Sequence, residues 1–246
     1  MKIRVDQAKG KPEPISTLNR ILLNENNESL VDLRVHTPKA KLLRPTLIPY
    51  LRESVANMIS AAIDRLPEGV YLEVMDAWRP LLFQKRMYDL IMSFAKEAYP
   101  KASYALLRRK VNRWVAPYDQ KAPPGHCTGA AVDVRLIDET FSPLDVTSPF
   151  GVHMNTYSTY VLGLSKIANQ NRMLLVDTML GVGFSNCRDE WWHYSYGDAG
   201  WAVRFGYSSC CYGLVELPLE LWADQKSAVL EKGYSWSKKN PFLRED

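Results

Sequence analysis

The chain has 246 residues, of which 46% are hydrophobic and 24% are charged. This length and composition suffice for one sizeable hydrophobic core, as in an ordinary soluble globular protein. The formal net charge of +4, from 31 basic and 27 acidic residues, is too small to predict a nucleic-acid-binding surface, and no apolar stretch is long enough to predict a membrane span.

The N-terminus and the cysteines indicate a cellular compartment. Residues 1–14 lack the apolar segment of a secretory signal. The four cysteines show no CxxC spacing, and the adjacent Cys210 and Cys211 are a poor disulfide pair, which favours a reducing environment. We therefore expect a cytoplasmic location, or a periplasmic one if a leader has been removed.

Hydrophobic periodicity predicts both strands and helices along the chain. Alternating apolar and polar residues predict strands, and apolar residues three and four apart predict helices. In chain order, the predicted elements are a strand at 30–35, a helix within 49–66, a strand at 70–75, helices at 80–98 and 103–114, a strand at 131–137, helical segments at 157–171 and 171–180, a strand at 191–196 and a helical turn at 200–205.

This order of elements predicts an α+β fold with a single domain. The domain is expected to span residues 29–211. A polar N-terminal extension, 1–28, precedes it, and a C-terminal extension, 212–246, follows it.

The first motif with metal-binding chemistry joins a loop to a strand. Residues 125–133 read GHCTGAAVD, so the loop carries His126 and the following strand carries Asp133. An aspartate inside an apolar strand is costly to bury without a strong partner. A metal cation is one such partner.

The second motif, DEWWHY at 189–194, contains Glu190 and His193 three residues apart. Three protein ligands and one water form the usual arrangement of catalytic zinc. His126, Asp133 and His193 supply that number of ligands, and Glu190 then remains free to act on the water.

The third motif, DAWRP at 76–80, lies between a predicted strand and a predicted helix. Arg79 is placed there to face the metal, although a structural pairing with Asp76 or Asp133 is about equally compatible with the pattern. Cys127 is disfavoured as a nucleophile because no histidine and carboxylate are arranged to activate it. His36 and His153 lie in no motif and are expected to be structural or surface residues.

Together these motifs resemble the D-alanyl-D-alanine dipeptidase family of zinc peptidases. The matching blocks follow the family's order over about residues 45–205, and they are YLRESVA at 50–56, DAWRP at 76–80, His126 with Gly129 and Asp133, and EWWH at 190–193 followed by YGD at 196–198. The resemblance implies a small antiparallel sheet that bears a zinc site and is surrounded by helices. It also implies that His126, Asp133 and His193 hold one Zn²⁺, that Glu190 is the general base and then the acid, and that Arg79 stabilises the transition state.

The implied activity is hydrolysis of D-alanyl-D-alanine, or of a similar short D-amino-acid dipeptide from cell-wall peptidoglycan metabolism, by a metal-activated water. The expected partner is a small peptide substrate, with no nucleic acid and no membrane, and the oligomeric state is not predicted. Two positions depart from the family, since Pro124 replaces a common hydroxyl residue and Gly151 replaces a common acidic residue. The alternatives are a related zinc D,D-carboxypeptidase or cell-wall endopeptidase, and a non-catalytic zinc-bearing binding protein.

Overall fold

The computed structural model describes residues 3–44, 47–152, 154–232 and 240–243, which form both helices and strands. The helices are α1 Ile15–Leu18, α2 Leu33–His36, α3 Glu53–Ile63, α4 Leu81–Ala98, α5 Tyr104–Val111, α6 Lys166–Leu180, α7 Ala199–Phe205 and α8 Ala223–Lys232. The strands are β1 Arg4–Val5, β2 Leu22–Leu23, β3 Leu30–Asp32, β4 Lys41–Leu42, β5 Tyr50–Arg52, β6 Tyr71–Asp76, β7 Ala131–Ile137, β8 Val161–Leu162, β9 Ser185–Asn186, β10 His193–Ser195 and β11 Ser209–Cys210. None of the described helices is long and apolar enough to cross a membrane.

A five-stranded sheet with the order β4-β6-β7-β10-β9 organises the domain. The pairs from β6 to β9 are antiparallel, and β4 joins the edge in parallel with β6. The predicted α+β class with a small sheet is therefore confirmed. The parallel edge was not predicted because β4 has only two residues, Lys41 and Leu42, which is too short for a hydrophobic period to be recognised.

The two faces of the central strand β7 serve different purposes. Val132 and Val134 are fully buried in the largest hydrophobic cluster, which also contains residues of α3 and α6. Successive side chains of a strand point to opposite faces, so Asp133 lies on the other face of the sheet. Burial of each large apolar side chain contributes about 1.5–3 kcal/mol, which makes β7 a firm support for the polar face.

Three local signals explain where the predicted elements were wrong. The strand expected at 30–35 ends at Asp32, whose side chain accepts a hydrogen bond of 2.9 Å from the Arg34 amide and caps α2. The helical segments at 157–171 and 171–180 are one helix, α6. It starts late because Ser165 caps it, accepting a hydrogen bond of 3.0 Å from the Ala168 amide, and because Gly163 adopts a positive φ of 87° just before it.

Both predicted extensions contact the domain, although the division into three parts stays a prediction. In the N-terminal one, β1 pairs with β8 and β2 pairs with β11. In the C-terminal one, the Val215 amide donates a hydrogen bond of 3.2 Å to the Cys127 carbonyl. Trp222 packs edge-on against Trp78 and Phe83, with ring centroids 5.7 and 5.5 Å apart. Segments from both ends of the chain thus lie against the domain that carries the motifs.

Candidate metal centre

His126, Asp133 and His193 converge on the polar face of the sheet. His126 lies in the 3-10 turn Gly125–Thr128, immediately before β7, and His193 in β10 is the register partner of Asp133 in β7. Among the described residues, one ligand atom from each of the three lies within 4.8 Å of the others. Asp133 and His193 are 60 positions apart in the sequence, and strand pairing brings their two motifs together.

The tautomer of His126 directs one ring nitrogen into this cluster. Its Nδ1 lies 2.8 Å from the Ala77 carbonyl oxygen, which can only accept, so Nδ1 carries a proton. Its Nε2 then points at Asp133 Oδ1, 3.2 Å away, and His193 Nδ1 lies 2.9 Å from the same oxygen. Two imidazole nitrogens and a carboxylate oxygen, with a carbonyl behind one imidazole, are a donor set that fits catalytic zinc.

The charges at the centre favour a bound cation. Burial alone raises the pKa of Asp133, but His126 and His193 outweigh it and hold that pKa well below its ordinary value. Burial likewise lowers the pKa of His126, and the Asp133 carboxylate raises it above the ordinary value. Asp133 is thus an ionised carboxylate in a buried site, and it requires a positive partner, either a proton on an imidazole or a metal ion.

Glu190 is held beside the ligands by a turn. Its amide donates to the Cys187 carbonyl at 3.2 Å, and its own carbonyl accepts from the His193 amide at 3.2 Å. Burial raises the pKa of Glu190 above its ordinary value, with His193 opposing and Asp133 adding to the shift. Glu190 is outside the group of converging ligand atoms. A carboxylate with a raised pKa near a metal centre is suited to proton transfer.

Arg79 is fixed beside His126 by three contacts. Its Nη2 pairs with Asp76, its Nη1 donates to Gln84 Oε1 at 2.6 Å, and its amide donates to the His126 carbonyl at 3.1 Å. Burial lowers the pKa of Arg79, but Asp76 outweighs that effect and raises it, so the guanidinium stays charged. The structural pairing with Asp76 considered from the sequence is present, and it orients a fixed cation towards the ligand loop.

Gln84 is a member of this arrangement that the sequence did not predict. Its side chain is only 1% exposed, and its Nε2 donates to the Ala116 carbonyl at 2.7 Å while its Oε1 accepts from Arg79. The available signal was a glutamine on the otherwise apolar buried face of α4.

The remaining candidates from the sequence lie outside the centre. The Cys127 side chain is fully buried, and burial raises its pKa to about 12, so the thiol is protonated at neutral pH. His36 is half-buried, and its Nε2 lies 2.8 Å from Oδ1 of the exposed Asn57, which agrees with the expected structural or surface role. His153 lies outside the described residues. Trp191 and Trp192 pack edge-on at 5.4 Å, and Trp192 meets Tyr157 at 4.9 Å, forming an aromatic wall next to Glu190 in the chain.

Comparisons with known proteins agree with these motifs. The family model described as D-ala-D-ala dipeptidase (Peptidase M15) matches residues 42–209, which is more than half of the chain and includes all five predicted site residues. A D-alanyl-D-alanine dipeptidase of Synechocystis is 28% identical over 152 residues, which are 54% of this chain and 62% of that protein. The D-alanyl-D-alanine dipeptidase of Escherichia coli K12 is 28% identical over 131 residues, which are 53% of this chain and 58% of that protein.

The chain thus spans less than two thirds of the length of these curated relatives. Among solved structures, a mutant of the vancomycin-resistance D,D-pentapeptidase VanY in complex with Zn(II) matches with a TM-score of 0.42 at 16% identity. That match covers 78% of this chain and 96% of the other.

Proposed function

The chain belongs to the D-Ala-D-Ala dipeptidase family of peptidase M15, and from this premise we propose that it is a zinc-dependent hydrolase of D-alanyl-D-alanine or a similar short D-amino-acid dipeptide. The observation that carries the proposal is the convergence of ligand atoms from His126, Asp133 and His193 within 4.8 Å. A purely structural zinc site has no use for a neighbouring acid–base group and a fixed cation. The presence of Glu190 and Arg79 therefore favours catalysis over the binding-protein alternative.

We assign the zinc ligands to His126 Nε2, Asp133 and His193 Nδ1. A zinc ion held by these atoms would supply Lewis acidity and would lower the pKa of its bound water to about 7. The Ala77 carbonyl fixes the ring of His126, and the strand pairing of β7 with β10 fixes the separation of the other two ligands. The chain therefore presents its ligands with little reorganisation.

Glu190 is the proposed general base and acid. It lies three residues before His193, and its raised pKa brings proton uptake closer to neutral pH. Glu190 takes the proton of the attacking water and delivers it to the leaving amine, a role that typically contributes about 100- to 10,000-fold to the rate.

Arg79 is the proposed oxyanion stabiliser. Its guanidinium is held by Asp76 and Gln84 before substrate arrives, so little reorganisation is needed as negative charge develops on the scissile carbonyl oxygen. A preorganised donor of this kind is typically worth about 3–4 kcal/mol.

We expect purified protein to release D-alanine from D-Ala-D-Ala, to lose this activity on chelation and to regain it when Zn²⁺ is added back. Free D-alanine is measured with a D-amino-acid oxidase. L-Ala-L-Ala is the matched control substrate, and the L-alanine released from it is measured with an L-amino-acid oxidase. An N-acylated peptide ending in D-Ala-D-Ala distinguishes the carboxypeptidase alternative, because a dipeptidase leaves it intact. Stoichiometric zinc with no D-alanine released from either D-peptide would contradict the proposed activity.

The cytoplasmic location expected from the sequence stays a prediction.

Replacing Arg79 with lysine is expected to lower kcat/KM by about 100-fold or more while zinc content stays unchanged. Lysine keeps the charge but loses the planar fork that Asp76 and Gln84 hold. The control is Arg86→Lys, which makes the same change at an exposed position of α4, the helix that follows Arg79. A wild-type kcat/KM in Arg79→Lys would show that the guanidinium of Arg79 does not stabilise the transition state.

A further inference from the structure

The N-terminal segment 4–28 lies outside the part of the chain that matches the family, residues 42–209. It is nevertheless fixed to the domain at several points. β1 and β2 at its two ends pair with β8 and β11, and between them Asn19 Oδ1 accepts a hydrogen bond of 2.9 Å from the Ala122 amide. A side chain carried by the middle of this segment is therefore delivered to a defined place on the domain.

That middle part delivers Glu13 to Arg204 of α7. The guanidinium meets the carboxylate at two points, Nε to Oε1 at 2.7 Å and Nη2 to Oε2 at 2.9 Å. Both side chains are largely buried, with 17% of Glu13 and 7% of Arg204 exposed. Two-point contacts between arginine and a carboxylate fix orientation as well as distance.

The third nitrogen of Arg204 connects this pair to the strand that carries His193. Nη1 donates to Ser185 Oγ and to Ser195 Oγ, both at 2.9 Å. These serines are register partners in β9 and β10. Because Ser195 is two positions after His193 in β10, the two side chains share one face of the sheet.

The same network reaches the turn that carries His126. Ser195 Oγ donates to Asp198 Oδ1 at 2.7 Å. The other carboxylate oxygen of Asp198 lies against Gly125, since a Cβ placed on that glycine would be 2.6 Å from Oδ2. Asp198 thus contacts the residue that precedes His126, and the network supports two of the three ligand-bearing positions.

We propose that Glu13 is a positioning residue that, through Arg204, Ser195 and Asp198, holds β10 and the 3-10 turn in the geometry in which His193 and His126 bind zinc. This inference rests on the proposed zinc site. It makes the N-terminal segment part of the working enzyme, beyond the region that the family comparison covers.

The test is the zinc dissociation constant of the full-length chain, measured by competition with a chelator of known affinity. Glu13→Gln keeps the shape of the side chain and removes its charge, and it is expected to weaken zinc binding by about 10-fold, in the range typical of residues that support metal ligands. Ser195→Ala removes the connecting hydroxyl without touching the ion pair, and it serves if the first variant does not fold. The control is Asp119→Asn, which breaks another two-point pair, with Arg108, that joins α5 to the following loop.

Weaker zinc binding in Glu13→Gln and Ser195→Ala, with Asp119→Asn within twofold of wild type, supports the positioning role. Zinc binding within twofold of wild type in both test variants overturns it, and so does an equal loss in the control. A wild-type chain that binds no zinc refutes the proposed metal site itself. If the wild-type chain binds zinc and hydrolyses the dipeptide, and Glu13→Gln and Ser195→Ala leave the zinc dissociation constant unchanged, only the role of Glu13 is refuted.

Discussion

Replacing Glu190 with glutamine is expected to lower kcat by about 100- to 10,000-fold while the protein keeps its zinc. Glutamine has the size of glutamate but cannot take up the proton of the attacking water. Zinc is expected to stay because the three converging ligand atoms come from His126, Asp133 and His193, and Glu190 is not among them. The measurement combines the rate of D-alanine release with the zinc content of the same sample.

The neighbouring carboxylate provides the control for this variant. Asp189 has a side chain that is 66% exposed, so Asp189→Asn makes the same chemical change one residue away, in solvent. We expect that variant to retain wild-type kcat. Full turnover in Glu190→Gln would show that another group is the base, and loss of zinc would show that Glu190 belongs to the ligand set.

Replacing His126 with alanine is expected to abolish stoichiometric zinc binding, and hydrolysis with it. The change removes one of the three proposed ligands and leaves the buried Ala77 carbonyl without its 2.8 Å contact. Loss of a group that merely supports a ligand typically costs about 10- to 100-fold in metal affinity, so loss of the ligand itself should cost more. Zinc content after dialysis and a dissociation constant from chelator competition give the result.

His36→Ala is the matched control for the metal site. His36 is half-buried beside the exposed Asn57 and is outside the group of converging ligand atoms, so its removal leaves the ligands untouched. Zinc content near one per chain is expected in this variant. Unchanged zinc affinity in His126→Ala would exclude His126 as a ligand and leave Asp133 and His193 without a third partner.

The residues of the candidate metal centre could be singled out from the sequence because their chemistry is concentrated in short motifs. His126 and Asp133 are seven positions apart in one loop-and-strand unit, and Glu190 and His193 lie in a second unit. The pairing of His193 with Asp133 could not be predicted from hydrophobic periodicity alone, because the register between two strands depends on contacts between distant segments.

The support behind the site could not be read from the sequence for the same reason. Gln84 contacts Arg79 only because the first turn of α4 packs against the loop that carries Ala116, whose carbonyl accepts from Gln84 Nε2. Glu13 reaches Arg204 across 191 positions of sequence, and a glutamate in a polar N-terminal stretch has no local feature that distinguishes it from a solvated one. Polar residues that act through tertiary contacts carry little sequence signal, whereas ligand-bearing motifs carry much.

The register of His193 against Asp133 has a consequence for the lifetime of the protein. On the proposed assignment, two adjacent strands whose ligands are 60 positions apart would share one ion, and zinc would act as a removable crosslink between them. A ligand that binds only the folded chain at 100 times its dissociation constant adds about 2.7 kcal/mol to the free energy of unfolding. Zinc supply would then govern how long each molecule resists proteolysis, and scarcity of the metal would reduce the abundance of the protein as well as its activity.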